Sequence, residues 1–84
     1  MKTIKYNNKL ITLPFPDADY GIDPLEAVVI KNRFGFGEAA VPTFAAAVYD
    51  VIMGSEMLEQ WEDHAKGLDW FRQYFPEQYM VLLD

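Results

Sequence analysis

Cysteine is absent from these 84 residues. That excludes disulfides and thiolate–zinc sites as sources of stability, so apolar packing has to hold the fold. Serine and histidine occur once each, as Ser55 and His64. Hydroxyl or imidazole catalysis would need both brought to one pocket with a third, orienting group. Basic residues are scarce after the start of the chain. Lys2, Lys5 and Lys9 fall in the first nine residues, and from residue 10 onward 4 basic side chains face 13 acidic ones, a net −9. Lys and Arg contacts to phosphate supply most nucleic-acid affinity, so direct binding of nucleic acid is disfavoured. An anionic membrane surface is disfavoured for the same reason. Long apolar runs are missing too: the longest weakly polar stretch, 39–55, carries Asp50 and is too short to span a bilayer. No apolar run follows Lys2 and Lys5, so no secretory leader is expected. These absences predict a soluble cytoplasmic protein without membrane or nucleic-acid contacts.

What is present is apolar and aromatic mass: 51% hydrophobic residues and 15% aromatic ones. The length predicts one domain over 1–84. A chain this short buries only about 60–65% of its unfolded surface, so some of that aromatic area is expected at an interface.

Residues 2–13 read as a β-hairpin. Lys2–Tyr6 and Lys9–Leu13 flank Asn7-Asn8, and asparagine tolerates the positive φ that a two-residue turn requires. Tyr6 then faces Lys9 and Ile4 faces Ile11. Ile4, Tyr6, Ile11 and Leu13 share one face, and Thr3, Lys5, Leu10 and Thr12 the other. Residues 14–21 are proline- and Asp/Gly-rich and predict a loop. Asp23-Pro24-Leu25-Glu26 resembles a helix start, with Asp23 as cap and Pro24 in the first turn. Val28, Val29 and Ile30 alternate as a strand would, but the start signal favours a short helix over 24–32, followed by a loop at 34–37. Residues 43–53 predict a buried apolar helix. Gly54 is expected to break it, with Ser55 capping a new amphipathic helix over 56–66. Met57, Leu58, Trp61 and Ala65 form its apolar side, and Gly67 its stop. A further helix is expected over 68–75, ending before Pro76. Tyr79–Leu83 offer a third strand for the hairpin. The fold class expected is α+β: an N-terminal β-hairpin, with a C-terminal third strand as an option, packed on three to four short helices.

Candidate chemistry is thin. Asp17, Asp19, Gly21 and Asp23 resemble a calcium loop, but Gly21 falls at the fifth position where an EF-hand wants glycine at the sixth, and Val28 stands where the bidentate Glu belongs. Arg33-Phe34-Gly35-Phe36 resembles part of the RNA-recognition and cold-shock signatures. Arg33 and Gly37 depart from the flanking pattern, and packing of both phenylalanines in the core is the favoured reading. No metal, cofactor or catalytic residue is expected. The aromatic residues Trp70, Tyr74 and Tyr79 are core by default and interface anchors otherwise. The acidic residues Glu56, Glu59, Glu62 and Asp63 fall together on the polar face of the 56–66 helix. Acid–base work by a carboxylate pair needs a desolvated member, which a polar face does not supply. A recognition surface for a basic partner is the functional alternative to a merely solvated face.

A short, acidic, cysteine-free chain without catalytic motifs resembles, in profile, the small inhibitor proteins of anti-CRISPR and anti-restriction type carried by phages and mobile elements. The resemblance assigns no residue. It implies a non-enzymatic inhibitor or adaptor that docks on a basic surface of a partner protein, one that itself grips nucleic acid in some cases. The alternative expectation is a homo-oligomeric accessory subunit, in its simplest form a homodimer.

Overall fold

The computed structural model describes residues 2–35 and 37–83. Its first element is the hairpin of β1 (Thr3–Tyr6) and β2 (Lys9–Thr12). Asn7 and Asn8 take φ of 50° and 64°, as the two-residue turn demands. The register pairs Tyr6 with Lys9 and Ile4 with Ile11, and Ile11 and Leu13 are buried while Thr3, Lys5 and Leu10 face out. The loop that follows is pinned by Tyr20, whose buried hydroxyl donates to Phe15 O (2.8 Å) and accepts from Phe15 N–H (3.2 Å). Burial pushes the Tyr20 phenol above its ordinary range.

Residues 24–32 depart from the expected helix. Asp23 to Glu26 make a turn, closed by Glu26 N–H to Asp23 O, and β3 (Ala27–Lys31) pairs antiparallel with β4 (Glu38–Pro42). The β-branched alternation prevails over the capping signal because the partner strand satisfies every second backbone pair, which an isolated helical turn could not match. Among the described residues the two hairpins are separate two-stranded sheets. Phe34, expected in the core, is 67% exposed at the tip of the second hairpin, where the Arg33 guanidinium lies 4.9 Å from its ring centre. The same expectation for Phe36 lies outside the described residues.

Three helices follow among the described residues: α1 (Thr43–Met57), α2 (Trp61–Tyr74) and α3 (Pro76–Leu82). Gly54 does not break α1; an ideal Cβ there meets nothing within 4 Å, so glycine merely costs some helix propensity. Ser55 is not a cap but bonds back to Ile52 O at 2.9 Å. Gly67 is not a stop but a close approach. It lies buried inside α2, and a Cβ there would stand 2.5 Å from Ile52 Cγ1 of α1. Residues 76–82 form a helix rather than the optional third strand, because Pro76 fits the first helical turn and the backbone N–H of Tyr79 and Leu83 close onto the carbonyls of Phe75 and Tyr79.

The core joins both hairpins to the helices. Phe44, Ala45, Val48 and Ile52 of α1 are fully buried with Phe71 of α2. Around them stand Tyr6, Trp70 and Phe75, with ring centres 5.5 to 6.2 Å from Phe44 in edge-on or tilted contacts. Asp50 of α1, expected on a mostly buried helix, faces solvent. No helix among the described residues is long and apolar enough to cross a membrane.

Candidate functional site

The link between α1 and α2 is short and strictly defined by backbone bonds. Gln60 N–H reaches Ser55 O at 2.8 Å and Glu59 N–H reaches Glu56 O at 3.2 Å. That pattern caps a helix C-terminus when the residue after the cap turns left-handed. Here that residue is Glu59, with φ of 57°. Glycine or asparagine usually occupies such a position, and a branched or long side chain there costs about 1 kcal/mol or more. The chain then re-enters a helix at Trp61, with Glu62 and Asp63 in the first turn of α2. There they face the positive end of the helix dipole.

This geometry rearranges the expected acidic face. Glu56, Glu59, Glu62 and Asp63 do not share one helix: Glu56 ends α1, Glu59 lies in the link, and Glu62 and Asp63 begin α2. Glu56 is also committed elsewhere. Arg33 holds its carboxylate with two bonds of 2.5 and 3.2 Å, which keeps Glu56 below its ordinary range, partial desolvation opposing. Glu59, Glu62 and Asp63 remain as exposed carboxylates.

The apolar residues of the same segment are the larger surprise. Met57, Leu58 and Trp61, expected to face the core, are 84, 70 and 56% exposed. The reason is the position of the turn. With the helix ending at 57 rather than breaking at 54, the core-facing stripe runs through Phe44, Val48, Ile52 and Ser55, and the next residues project past the end of the core. The result is an apolar tip rimmed by carboxylates. Trp61 is braced edge-on by the His64 ring at 5.6 Å. His64 in turn sits 3.1 Å from Ile52 O through Nδ1, which must donate because a carbonyl only accepts. So the single histidine ties α2 to α1 and steadies the tryptophan.

The expected aromatic anchors lie elsewhere. Trp70 is buried and donates its indole N–H to Thr12 O at 2.7 Å, so it belongs to the core. Tyr74 and Tyr79 are half-buried, with Tyr79 under the Arg72 guanidinium at 5.5 Å. Trp61 is the exposed tryptophan, and the signal that marked it was available: of the two tryptophans it is the one set among acids rather than aromatics.

Two hollows bear on chemistry. A groove of about 520 Å³ between residues 12–16 and α2 is lined by Lys2, Leu13, Pro14, Lys66, Trp70 and Tyr74, with Asp69 at its margin. Asp69 is engaged by Arg72, and none of the lining residues is a serine or histidine. A smaller hollow of about 100 Å³ brings His64 beside Glu56 and Arg33, but each already has the partner described above. Among the described residues no group of three or more His, Cys, Asp and Glu side chains is placed to hold a metal ion. No protein-family model, curated protein or solved structure matches the chain.

Proposed function

We propose that this chain is a small non-enzymatic docking protein, an inhibitor or adaptor, and that the α1–α2 link is the surface it presents to a partner protein. The observation that carries this reading is the exposure of Met57, Leu58 and Trp61 together in one turn, rimmed by Glu59, Glu62 and Asp63. Tryptophan at the centre of a small apolar patch is the favoured anchor of protein interfaces, and a charged rim excludes water and sets partner choice. Among the described residues Glu59, Glu62 and Asp63 form no ion pair, and exposed carboxylates around an apolar patch suit a partner with an apolar cleft bordered by Lys and Arg. A basic cleft of that kind is what a nucleic-acid-gripping protein offers, which agrees with the profile resemblance. The left-handed Glu59 supports the same reading, since a carboxylate is kept where glycine would cost less.

The test is affinity capture by the wild type and by Trp61→Ala, Glu59→Lys/Glu62→Lys and Glu59→Gly variants, followed by a salt series. One protein should be retained by the wild type, lost with Trp61→Ala and with the double reversal, and released progressively as salt screens the rim. Glu59→Gly should weaken capture while raising the fold's stability by up to about 1 kcal/mol. A protein retained equally by all four chains, or equally at 1 M salt (roughly a 3 Å screening length), would overturn the reading.

A further inference from the structure

The second hairpin has a bare edge. β3 pairs with β4 through Val28 and Ile30, and the ladder continues through Asn32 N–H to Gly37 O (2.7 Å) and Thr43 N–H to Glu26 O (2.8 Å). Alternation then turns the N–H and C=O groups of Ala27, Val29 and Lys31 away from β4. Among the described residues no other strand pairs there. All three side chains are exposed, Val29 at 59%, and the chain leading into β3 adds exposed Ile22 and Leu25. The first hairpin is protected where this one is not. Thr12 O on the outer edge of β2 is occupied by the Trp70 indole, and on the four-residue β1 a lysine, Lys5, holds one of the two outward positions, whereas the lysine of β3, Lys31, stands at the end of its strand. Ala27 to Ile30 contain neither charge nor proline.

We propose that β3 is a self-association strand, pairing antiparallel with β3 of a second copy about a two-fold axis through Val29. A second copy is the occupant this edge fits because its outward groups are self-complementary. Val29 faces the second copy's Val29, and Ala27 faces the second copy's Lys31 on either side, each facing pair exchanging two backbone bonds. Small alanine opposite lysine leaves room for the long side chain, and the two Lys31 residues stay about 14 Å apart, so like charges do not meet. On β4, Glu38 lies across from Lys31 and balances it. The product is a continuous four-stranded sheet with Val29 at its centre, and this reading does not rest on the one proposed for the α1–α2 link.

Sedimentation velocity over a concentration series, with three variants, decides it. The wild type should dimerise. Val29→Lys places two cations face to face at the axis and should weaken the dimer roughly tenfold or more; the exposed position leaves the circular dichroism spectrum unchanged, and any fall in melting temperature should vary with protein concentration, as loss of a dimer requires. Because the chain has no cysteine, Val29→Cys supplies a single thiol. Facing Cα atoms about 5.5 Å apart allow it to cross-link to its own counterpart on oxidation, whereas Thr3→Cys on the other hairpin should not. A wild type that stays monomeric at every concentration overturns the proposal, including one that instead takes up an extended apolar peptide on this edge. So does a dimer that survives Val29→Lys and fails to cross-link through Val29→Cys.

Discussion

The two hairpins are held to the same helices by different forces. The first is bound by aromatic mass: Tyr6 meets Phe44 and Phe75 at 5.5 and 5.9 Å, Ile11 is buried, and Trp70 both packs and bonds to Thr12 O. The second buries Val41 but is tied at its open end by polar bonds. Asn32, itself buried, donates to Val81 O at 2.7 Å and accepts from Phe34 N–H at 2.7 Å, and Arg33 holds Glu56. A hairpin fastened by apolar burial sends Ile11 and Leu13 into the core and carries Lys5 on one outer edge and the Trp70 bond on the other. A hairpin fastened at its tip keeps a face and an edge open. The difference teaches that one core can hold two sheets in two ways: aromatic rings pack under β1–β2, whereas β3–β4 meets the same core through Val28, Ile30, Ala39 and Val41 and adds polar bonds at its tip.

The largest effect should come from the first hairpin. Trp70→Ala removes the ring that joins Thr12, Phe44, Tyr74 and Phe75, and should cost about 3–5 kcal/mol in chemical denaturation. For a domain this small that is a large share of its whole stability. Amide exchange should show β1–β2 losing protection more than β3–β4. Equal loss in both hairpins would break the distinction, because it would mean that the second also rests on the aromatic cluster.

Asn32→Ala probes the other fastening. The substitution removes the bonds that the Asn32 side chain makes to Val81 O and Phe34 N–H and should cost about 1–3 kcal/mol. Here the loss of protection should fall on the 32–38 turn and α3, with β1–β2 amides unchanged. If β1–β2 loosens equally, the two attachments are one cooperative unit.

The same contrast explains what could be read from the residues alone. The first hairpin was legible to the register because a two-residue Asn-Asn turn leaves one way to pair the flanking alternation. The second was hidden by two competing local signals, and its strands are joined through a longer turn braced by the Asn32 side chain, which accepts from Phe34 N–H and donates to Val81 O, a tertiary device with no periodic signature. Glycine misled twice for one reason. Gly54 marks nothing, and Gly67 marks the place where α1 and α2 touch; only the position of the neighbouring helix separates them. The acidic cluster was legible as composition but not as geometry. Its division among α1, the link and α2 follows from a left-handed Glu59, a conformation for which glutamate gives no warning. The exposed Trp61 follows from that same turn, so moving one helix end from residue 53 to Met57 exchanges a buried stripe for a surface.

The smallest effect is a pH dependence confined to the second hairpin. The guanidinium of Arg33 holds Glu56 as the carboxylate, chiefly through the paired hydrogen bonds, and so lowers its proton affinity below the ordinary value of 4.5. A group whose proton affinity is lower when folded contributes stability that is present above its unfolded pKa and is lost as pH falls through the folded one. The stabilisation should therefore be intact at neutral pH and should fade below about 4.5. Arg33 is exposed and Glu56 partly so, so water screens the pair and its share is small. Denaturation midpoints measured from pH 7 down to pH 3 should converge for the wild type and Glu56→Gln at the acid end and separate slightly above it, with the wild type the more stable. The Phe34 and Arg33 amides should exchange faster in Glu56→Gln at pH 7, while Tyr6 and Ile11 amides should not change. Were the two chains to differ most at low pH, Glu56 would be stabilised in its protonated form, and the tip of the second hairpin would be fastened by something other than this ion pair.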